Sequence, residues 1–372
     1  MRSVKIGVLS LNNGHARMYF SFLMRSPMFE LVGVSADPTQ RSRVFLNQLP
    51  GVPVYDSDEE LLDAHPEIEA VVIAGPNCEN FKRFKLCVER GVHIYCMKVP
   101  TMRLDEYTEM QKIAQNYDKV VQVEMQMRFI AMTRRLKQLI KDGAVGNLIS
   151  IHATNMTHCI ASWFGWIGDG KASYGRRVPI RPGEKLERGG SITDHPHLFD
   201  MMRFLTDSEY EWVYADCGPN LRKDLNVEDS TLVIGKMKNG VIVSLDPSYS
   251  RLENSGLPQG QCSPGWEQYP RRVEVNYTVT GDKGVILVDC YNSGMYHTAN
   301  PSHSYTMMPS HEDYHFERML EDFYQSIVNG KKTVVTLEGN RGTIEAMNAS
   351  YESIYSGEPF YLSNLNVSGR EV

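Results

Sequence analysis

The chain has 372 residues, of which 42% are hydrophobic and 23% are charged, and its net charge is −6. These values are typical of a globular protein that buries a large core, and the length predicts two domains. The acidic balance argues against partnership with nucleic acid or an anionic membrane, and no apolar run approaches the length of a membrane span.

The seven cysteines are scattered and odd in number, and none forms a C-x-x-C pair. This spacing argues against a disulfide framework and against a structural zinc site. A first strand that begins at Val4 leaves no room for a signal peptide. We therefore expect reduced thiols in a cytoplasmic protein.

The first structural unit is predicted between Val4 and Asp37. The apolar run 4–9 favours a buried strand, and residues 10–15 form a polar turn cluster. Apolar residues then recur at helical spacing through Met24, and a second apolar run ends just before Asp37. This order of strand, turn, helix, strand and acid is that of a dinucleotide-binding unit, in which helix N-terminal amides hold a pyrophosphate and the acid binds a ribose hydroxyl.

The turn departs from the usual G-x-G-x-x-G fingerprint. Ser10, Asn12 and His15 occupy the three glycine positions, and a glycine is present only at Gly14. Asparagine tolerates a positive φ angle and serine is small, so the turn can still approach a phosphate closely. On this stretch alone, nucleotide binding and an ordinary α/β domain are equal alternatives. The residues predicted to contact a cofactor here are Ser10, Leu11, Asn12, Asn13, Gly14 and His15.

Apolar runs near residues 70–74, 93–96 and 120–123 alternate with helical segments up to about residue 125. This alternation predicts an α/β Rossmann domain over residues 1–125, with a doubly wound parallel sheet covered on both faces. Ligands bind at the carboxyl ends of such strands. Further cofactor contacts are therefore predicted at Gly75, Asn77, Met97, Lys98 and Gln126.

Residues 126–372 are predicted to form an α+β domain. Runs with β character recur between residues 147 and 288, and turns at 238–240 and 281–284 indicate hairpins. We expect a large open, mostly antiparallel sheet with helices on one face, and C-terminal helices within about 312–356 that pack back toward the first domain. The long, Gly-rich and basic segment 163–190 is interpreted as an excursion on the substrate side.

Four stretches resemble the Gfo/Idh/MocA family of NAD(P)-dependent oxidoreductases, in the family's order and at its spacing. They are Ile6-Gly7-Val8, Ala70 to Asn77, Gly91 to Lys98, and Gly189 to Asp200. The tail also fits at 281–284 and 323–327, so the resemblance covers nearly the whole chain. It implies a nicotinamide cofactor, a sugar or polyol substrate, and a homodimer or homotetramer that pairs through the open sheet.

The chain departs from the family pattern at several positions. Met97 and Val99 replace the glutamate and proline that flank the family lysine, and Asn80 stands where a histidine is common. Asp194 lies three residues before His197, where the family usually has four. The first differences bear on cofactor binding, and the last bears on the geometry of the acid–base pair.

The candidate catalytic residues are Lys98, Asp194 and His197. Lys98 follows a predicted parallel strand, where its amine could stabilise a developing alkoxide; a surface lysine is the alternative, and the resemblance favours a catalytic role. Asp194, His197 and Asp200 are spaced i, i+3, i+6, which places consecutive pairs close together on a helix. His197 could take a proton from a hydroxyl while Asp194 fixes its tautomer, the alternative being a helix cap and a core histidine. Asp200 is interpreted as structural, because the family uses that position for packing.

Substrate contacts are predicted at Arg128, Asn155, His158 and Trp163. Arg128 could neutralise a carboxylate or the cofactor phosphates, and the other three could form the wall that faces a sugar. The tryptophan could equally belong to the core. A metal site at His195 and His197, with His152 or His158, is a weaker alternative because the first two begin a predicted helix, so no metal is predicted.

Asp37 favours NAD, because a carboxylate there accepts from the ribose 2′-hydroxyl and repels a 2′-phosphate, whereas Arg41 leaves NADP possible. The sequence thus predicts an oxidoreductase that transfers hydride between a nicotinamide and a secondary hydroxyl or ketone of a sugar, cyclitol or related polyol. Two alternatives stay open: a non-catalytic or regulatory dinucleotide-binding protein, and a redox-assisted sugar lyase or glycosidase on the same scaffold. A metal-dependent lyase is a third interpretation.

Overall fold

The computed structural model describes residues 2–13, 15–36, 46, 49–156, 169–220, 222–249, 274–290, 294–299, 302–307 and 315–365. The predicted site residues Gly14, Asp37, His158 and Trp163, as well as Arg41, lie outside these ranges. None of the helices within them combines the length and apolarity needed to cross a bilayer.

Among the described residues, the first sheet has six strands, which lie between Val4 and Tyr55 and between Ala70 and Val123. In chain order they are β1 (Val4–Leu9), β2 (Phe29–Ser35), β3 (Val54–Tyr55), β4 (Ala70–Ile73), β5 (His93–Cys96) and β6 (Val121–Val123). Their spatial order is β3-β2-β1-β4-β5-β6, and each pairing is parallel. The order reverses direction between β1 and β4, which is the switch point where open α/β sheets bind ligands. The predicted doubly wound parallel sheet is confirmed.

Four helices lie between these strands in the described part of the chain: α1 (Ala16–Arg25), α2 (Asp58–Ala64), α3 (Asn80–Arg90) and α4 (Leu104–Gln115). Helix α2 begins where Ser57 accepts a hydrogen bond from the Glu60 amide at 3.0 Å, with acids in its first turn. Helix α3 follows a short 3₁₀ turn, Asn77–Glu79, and ends at Gly91, whose φ of +68° suits glycine. All four side chains of β4 are buried, as expected for a strand covered on both faces.

The second sheet has nine described strands: β7 (Leu148–Met156), β8 (Tyr210–Cys217), β9 (Thr231–Met237), β10 (Ile242–Asp246), β11 (Glu274–Gly281), β12 (Gly284–Asp289), β13 (Gly294–Ala299), β14 (Ser302–Met307) and β15 (Phe360–Tyr361). Their order is β14-β13-β12-β11-β7-β10-β9-β8-β15. Among these pairings β7–β10 is parallel and the others are antiparallel. Both predicted hairpins are present, β9–β10 and β11–β12, so the mostly antiparallel sheet is confirmed.

The described helices of the second half are α5 (Ala131–Lys141), α6 (Gly170–Tyr174), α7 (Ser191–Asp194), α8 (Pro196–Thr206), α9 (His315–Asn329) and α10 (Leu337–Ser356). Of these, α5, α8 and α10 pack on strands of the second sheet. Helix α10 packs on β8, and α8 packs on β7. The two C-terminal helices also contact the first sheet and its helices. Gln122, on β6, donates to the carbonyl of Met319 at 3.1 Å, and Tyr107, on α4, donates to the carbonyl of Leu337 at 2.7 Å.

Candidate active site

Lys98 and Asp194 form a buried ion pair at the carboxyl edge of the first sheet. Lys98 follows β5, and its Nζ donates to the Oδ1 and to the backbone carbonyl of Asp194, each at 2.6 Å. The side chains are 1% and 2% exposed. Burial alone would raise the pKa of Asp194, but the charge and the hydrogen bond of Lys98 lower it below its ordinary value. The pair therefore places an ionised carboxylate against an amine that it holds in one position.

His197 lies in the first turn of α8 and is almost fully buried. Burial and then the charges of Lys98, His15 and His195 lower the pKa of His197 well below 6.5. The imidazole is thus neutral at neutral pH and can accept a proton. Its Nε2 lies 3.4 Å from the Nε2 of Gln126, whereas its Nδ1 has no hydrogen-bond partner within the described part of the chain.

The prediction that Asp194 and His197 lie close together on one helix is wrong. The structure has α7 and α8 instead, separated at His195, whose φ and ψ of −111° and 48° are not helical. Proline at 196 disfavours the helical conformation of the residue before it and then begins the new helix. Asp194 and His197 are therefore not neighbours on one helix, and the Asp194 carboxylate contacts Lys98 where a contact with the imidazole was expected.

Glu124 is a residue of the site that the sequence did not identify. It follows β6 and is fully buried. Its Oε1 accepts from His15 Nδ1 at 2.9 Å and from the Tyr19 hydroxyl at 2.7 Å, and its Oε2 accepts from the Lys98 amide at 3.2 Å. Burial opposes ionisation, but His15, Tyr19 and Lys98 together lower the pKa of Glu124. The sequence does contain one indication of this role: Glu124 directly follows β6, which pairs with β5, the strand that precedes Lys98.

The turn after β1 uses the residues that replace glycine. Ser10 adopts φ +66°, the left-handed conformation that the first glycine position requires, and its Oγ accepts from the Asn12 amide at 3.3 Å. The Oδ1 of Asn13 accepts from the His15 amide at 2.9 Å, and the Asn13 amide donates to the carbonyl of Ala74 at 2.8 Å. These bonds fix the start of α1 against the end of β4.

A chain of polar side chains supports this turn from the side of β2. The Ser10 amide donates to Ser35 Oγ at 2.8 Å, and the Ser35 hydroxyl donates to Asp58. Arg83 Nε in turn donates to Asp58 Oδ2 at 2.8 Å. The guanidinium covers Gly75, where any Cβ would overlap it. Glycine at position 75 therefore leaves room for a side chain that orders the cofactor edge of the sheet.

Several buried polar atoms at this edge have no hydrogen-bond partner among the described residues. They are Asn13 Nδ2, both side-chain atoms of Asn77, Gln126 Oε1, Asn155 Oδ1, Asp194 Oδ2 and His197 Nδ1. Each such group costs about 1–3 kcal/mol when it is left unpaired. They lie in the loops after β1, β4 and β6, near the end of β7, and at α7 and α8. Amide, ribose and substrate hydroxyl groups are the partners that such donors and acceptors require, so the residues present fit a dinucleotide and a polyol.

The remaining predicted contacts differ in accessibility. Leu11 and Met97 are fully buried, which leaves their backbones as the available groups. Arg128 donates from Nε and Nη2 to the two oxygens of Asp200, each at 2.7 Å. The carboxylate that Arg128 neutralises is therefore one of the protein's own, and Asp200 is structural.

The histidines considered for a metal site are engaged elsewhere. His195 Nε2 lies 3.1 Å from the carbonyl of Ser248, and His152 Nδ1 lies 2.6 Å from Ser244 Oγ on the other face of the sheet. Over the described ranges, no group of three His, Cys, Asp or Glu residues could hold a metal ion.

Comparison with known proteins agrees with this arrangement. Residues 4–125 match an oxidoreductase family with an NAD-binding Rossmann fold, and residues 133–287 match the GFO/IDH/MocA C-terminal domain. Glucose-6-phosphate 3-dehydrogenase of Bacillus subtilis is 26% identical over 65% of this chain and 66% of its own length. A 2,7-anhydro-N-acetylneuraminate hydratase of Mediterraneibacter gnavus is 23% identical over 64% of this chain and 56% of its own. The chain thus spans about half to two thirds of these curated relatives.

Among solved structures, an oxidoreductase of Agrobacterium radiobacter, in complex with NAD⁺, L-tartaric acid and magnesium, superposes with a TM-score of 0.78. It is 15% identical, and the match covers 97% of this chain and 99% of that one, so it shows that the fold is shared. The two family matches cover the first sheet and strands β7 to β11 of the second. They confirm the resemblance of the sequence and the prediction of an NAD-binding Rossmann fold. The chain belongs to the Gfo/Idh/MocA family of oxidoreductases.

Proposed function

We propose that this chain transfers hydride between NAD and a secondary hydroxyl or ketone of a sugar, cyclitol or related polyol. The observation that carries the proposal is the buried Lys98–Asp194 pair, whose amine also acts electrostatically on the neutral imidazole of His197. An amine that stabilises negative charge and a neutral base are the two groups that oxidation of an alcohol requires.

NAD would be held by the backbone of the turn 10–15 at the N-terminus of α1, and by Gly75, Asn77, Met97 and Gln126 at the next strand ends. The unpaired atoms of Asn13, Asn77 and Gln126 support these contacts. When bound, NAD supplies the acceptor for the hydride. Asp37 stays our reason for preferring NAD to NADP, on the sequence alone.

The substrate hydroxyl would lie between Lys98 and His197. His197 takes the hydroxyl proton, and the ammonium of Lys98, fixed by Asp194, stabilises the negative charge that develops on the oxygen. In the reverse direction the protonated His197 returns the proton to the same oxygen. Burial of all three side chains strengthens these interactions, because little water competes for them.

The polyol class is supported by Asn155, whose buried Oδ1 lacks a partner within the described ranges and could accept from a substrate hydroxyl. The sequence adds His158 and Trp163 as proposed contacts. Arg128 would support the substrate site indirectly, because its guanidinium is bound to the Asp200 carboxylate. The similarity to a glucose-6-phosphate 3-dehydrogenase supports a sugar as the substrate.

A redox-assisted lyase or hydratase is the second candidate. It is favoured by the similarity to a protein named a hydratase. It predicts that NAD is recycled within each turnover, so product would form without any net increase in NADH. A non-catalytic dinucleotide-binding protein predicts binding without either product.

We also propose that residues 1–125 and 126–372 are separate domains and that two or four copies pair through the open face of the second sheet. The large apolar side chains exposed on that face include Leu232, Ile234, Ile242, Leu287 and Tyr296. Free thiols at Cys78, Cys87, Cys96 and Cys217 support a reducing, cytoplasmic location.

The purified protein should be incubated with NAD and a panel of sugars, sugar phosphates and inositols, while NADH absorbance and product formation are both recorded. NADH formation with at least one polyol, together with thermal stabilisation by NAD, is the expected result. Lys98→Met serves as the matched inactive variant. If NAD gives no thermal stabilisation and no polyol gives NADH or product, the proposal is wrong.

A further inference from the structure

Glu228 is a fully buried carboxylate that the proposed mechanism does not use. It lies between β8 and β9. Its Oε2 accepts from the Gly190 amide at 3.0 Å, and its Oε1 accepts from the Ile192 amide at 3.1 Å and from the Tyr351 hydroxyl at 2.6 Å. Each of these three partners donates a hydrogen bond, so the arrangement suits the ionised form of the Glu228 carboxyl.

These contacts clamp the beginning of α7, the helix that ends at Asp194. The Glu228 backbone carbonyl also accepts from the Ser191 amide at 2.8 Å, so this residue holds three successive amides. A Cβ on Gly190 would overlap that carbonyl, which shows how closely the two segments approach. Helix α7 has only four residues and ends at Asp194, so a displacement of its first residue also displaces Asp194.

The surroundings of Glu228 provide donors but no described counter-charge in contact with it. Arg188 is the nearby cation, and it forms an ion pair with Glu352 at 2.7 Å. Tyr174 and Tyr351 also face this region, and burial raises the pKa of each phenol. Burial likewise raises the pKa of the Cys217 thiol, so these neighbours keep their charge state near neutrality.

We propose that Glu228 is a positioning residue, which fixes α7 and thereby sets where Asp194 holds the amine of Lys98. The inference rests on the proposed function for its catalytic meaning, but the contacts themselves do not depend on it. The path runs from the Glu228 carboxylate through the amides of 190–192 to the carboxylate and carbonyl of Asp194, and from there to Lys98 Nζ.

A consequence is that the position of α7 depends on pH. Burial raises the pKa of Glu228 to about 7, so the carboxyl gains its proton as the pH falls through neutrality. A protonated carboxyl oxygen accepts only weakly from its amide, and its hydroxyl must find an acceptor. The Tyr351 oxygen can serve if its own hydroxyl turns to Thr193 Oγ1, 3.1 Å away. Protonation therefore weakens the hold on Gly190 or Ile192.

Amide hydrogen exchange of the purified wild-type protein tests this without cofactor or substrate. After correction for the intrinsic effect of pH, the protection of at least one of the amides of Gly190 and Ile192 should fall roughly tenfold between about pH 8 and about pH 6. Protection in β4, measured in the same sample, should stay constant. Equal protection of both amides at the two pH values would overturn the pH-dependent part of the inference.

Variants test the path to the lysine. Glu228→Gln should raise the rate at which an amine-specific reagent labels Lys98 by roughly tenfold, while labelling of Lys137 in the same protein stays constant. The control is Glu211→Gln, which removes an exposed acid paired with Lys236 at 3.2 Å. If the variant does not fold, wild-type labelling at about pH 8, compared with about pH 6 after correction for amine ionisation, gives the same information. Unchanged labelling of Lys98 would overturn the inference.

If a substrate is found, Glu228→Gln should lower kcat roughly 10- to 100-fold, as a small misplacement of a catalytic group does, with little change in NAD affinity. The acidic limb of the wild-type pH profile should lose its inflection near pH 7 in the variant and retain the lower one expected of His197. An identical profile in both proteins would show a merely structural role. Failure to find any substrate would contradict the proposed function and leave the exchange and labelling results standing.

Discussion

The imidazole of His15 lies 2.9 Å from the carboxylate of Glu124, with both side chains buried. His15 stands in the last glycine position of the nucleotide turn, and the second oxygen of Glu124 accepts from the amide of Lys98. One carboxylate thus joins the start of α1 to the end of β5. The atypical turn is compensated by a partner 109 residues away along the chain.

Glu124→Gln should lower the free energy of unfolding by about 1–3 kcal/mol, because the amide replaces one of the two acceptor oxygens with a donor and leaves the donors of that oxygen unpaired. NAD affinity should fall as well, since His15 is then free to move. Urea unfolding and calorimetric titration with NAD measure the two effects. The control is Glu59→Gln, which removes an exposed pair with Lys82 at 3.8 Å and should change stability by less than about 1 kcal/mol. Equal effects of the two substitutions would contradict the role of Glu124.

Local patterns were sufficient to predict most of the fold. The apolar residues of β1, β4, β5 and β6 follow one another directly in the sequence. Such a continuous apolar run indicates a buried parallel strand. The break at His195 is also a local feature, because Pro196 disfavours a helical conformation at the residue before it. The spacing of Asp194 and His197 favours one continuous helix, and the proline prevents it.

The pairings of charged groups could not be predicted in the same way. Glu124 is far from His15 in sequence, as Glu228 is from Tyr351, and no short spacing links the members of each pair. The contact of His15 with Glu124 depends on which strand ends lie side by side, which follows from the order β1-β4-β5-β6. The contact of Glu228 with Tyr351 depends on the packing of α10 on β8. An acid after a buried strand is therefore a signal that becomes useful only once the sheet order is known.

Lys98→Met should abolish most activity, with kcat reduced at least about 100-fold, because the amine that stabilises the developing charge is lost. It should also destabilise the protein by about 3–5 kcal/mol, since Asp194 is left buried and unpaired. Adding Asp194→Asn should recover part of the stability and none of the activity. Urea unfolding and initial rates of both variants separate the structural from the catalytic contribution. If Lys98→Met alone keeps kcat within about twofold of the wild-type value, Lys98 has no catalytic role.

His197 should make the protein less stable in acid. Its folded pKa lies well below 6.5, whereas the unfolded chain has a value near 6.5, so the unfolded state binds more protons in the interval between them. The free energy of unfolding should therefore fall as the pH drops below about 6.5, by at most about 1.4 kcal/mol per pH unit from this residue. His197→Gln should flatten that slope in urea titrations at several pH values. His152→Gln, on the exposed face of the second sheet, should leave it unchanged, and equal slopes in all three proteins would contradict the burial argument.

Leu232→Glu with Ile234→Glu should convert the proposed oligomer into monomers. The two side chains are 60% and 47% exposed on β9, and the neighbouring strand adds Ile242 to the same exposed face. A paired copy would bury these groups, so carboxylates there would be desolvated without partners and would oppose association. Light scattering should show a lower mass, with unchanged circular dichroism and NAD binding. Val334→Glu, an exposed apolar residue before α10, is the control and should keep the wild-type mass. If the double variant has the same mass as the wild type, the open sheet is not the surface through which copies pair.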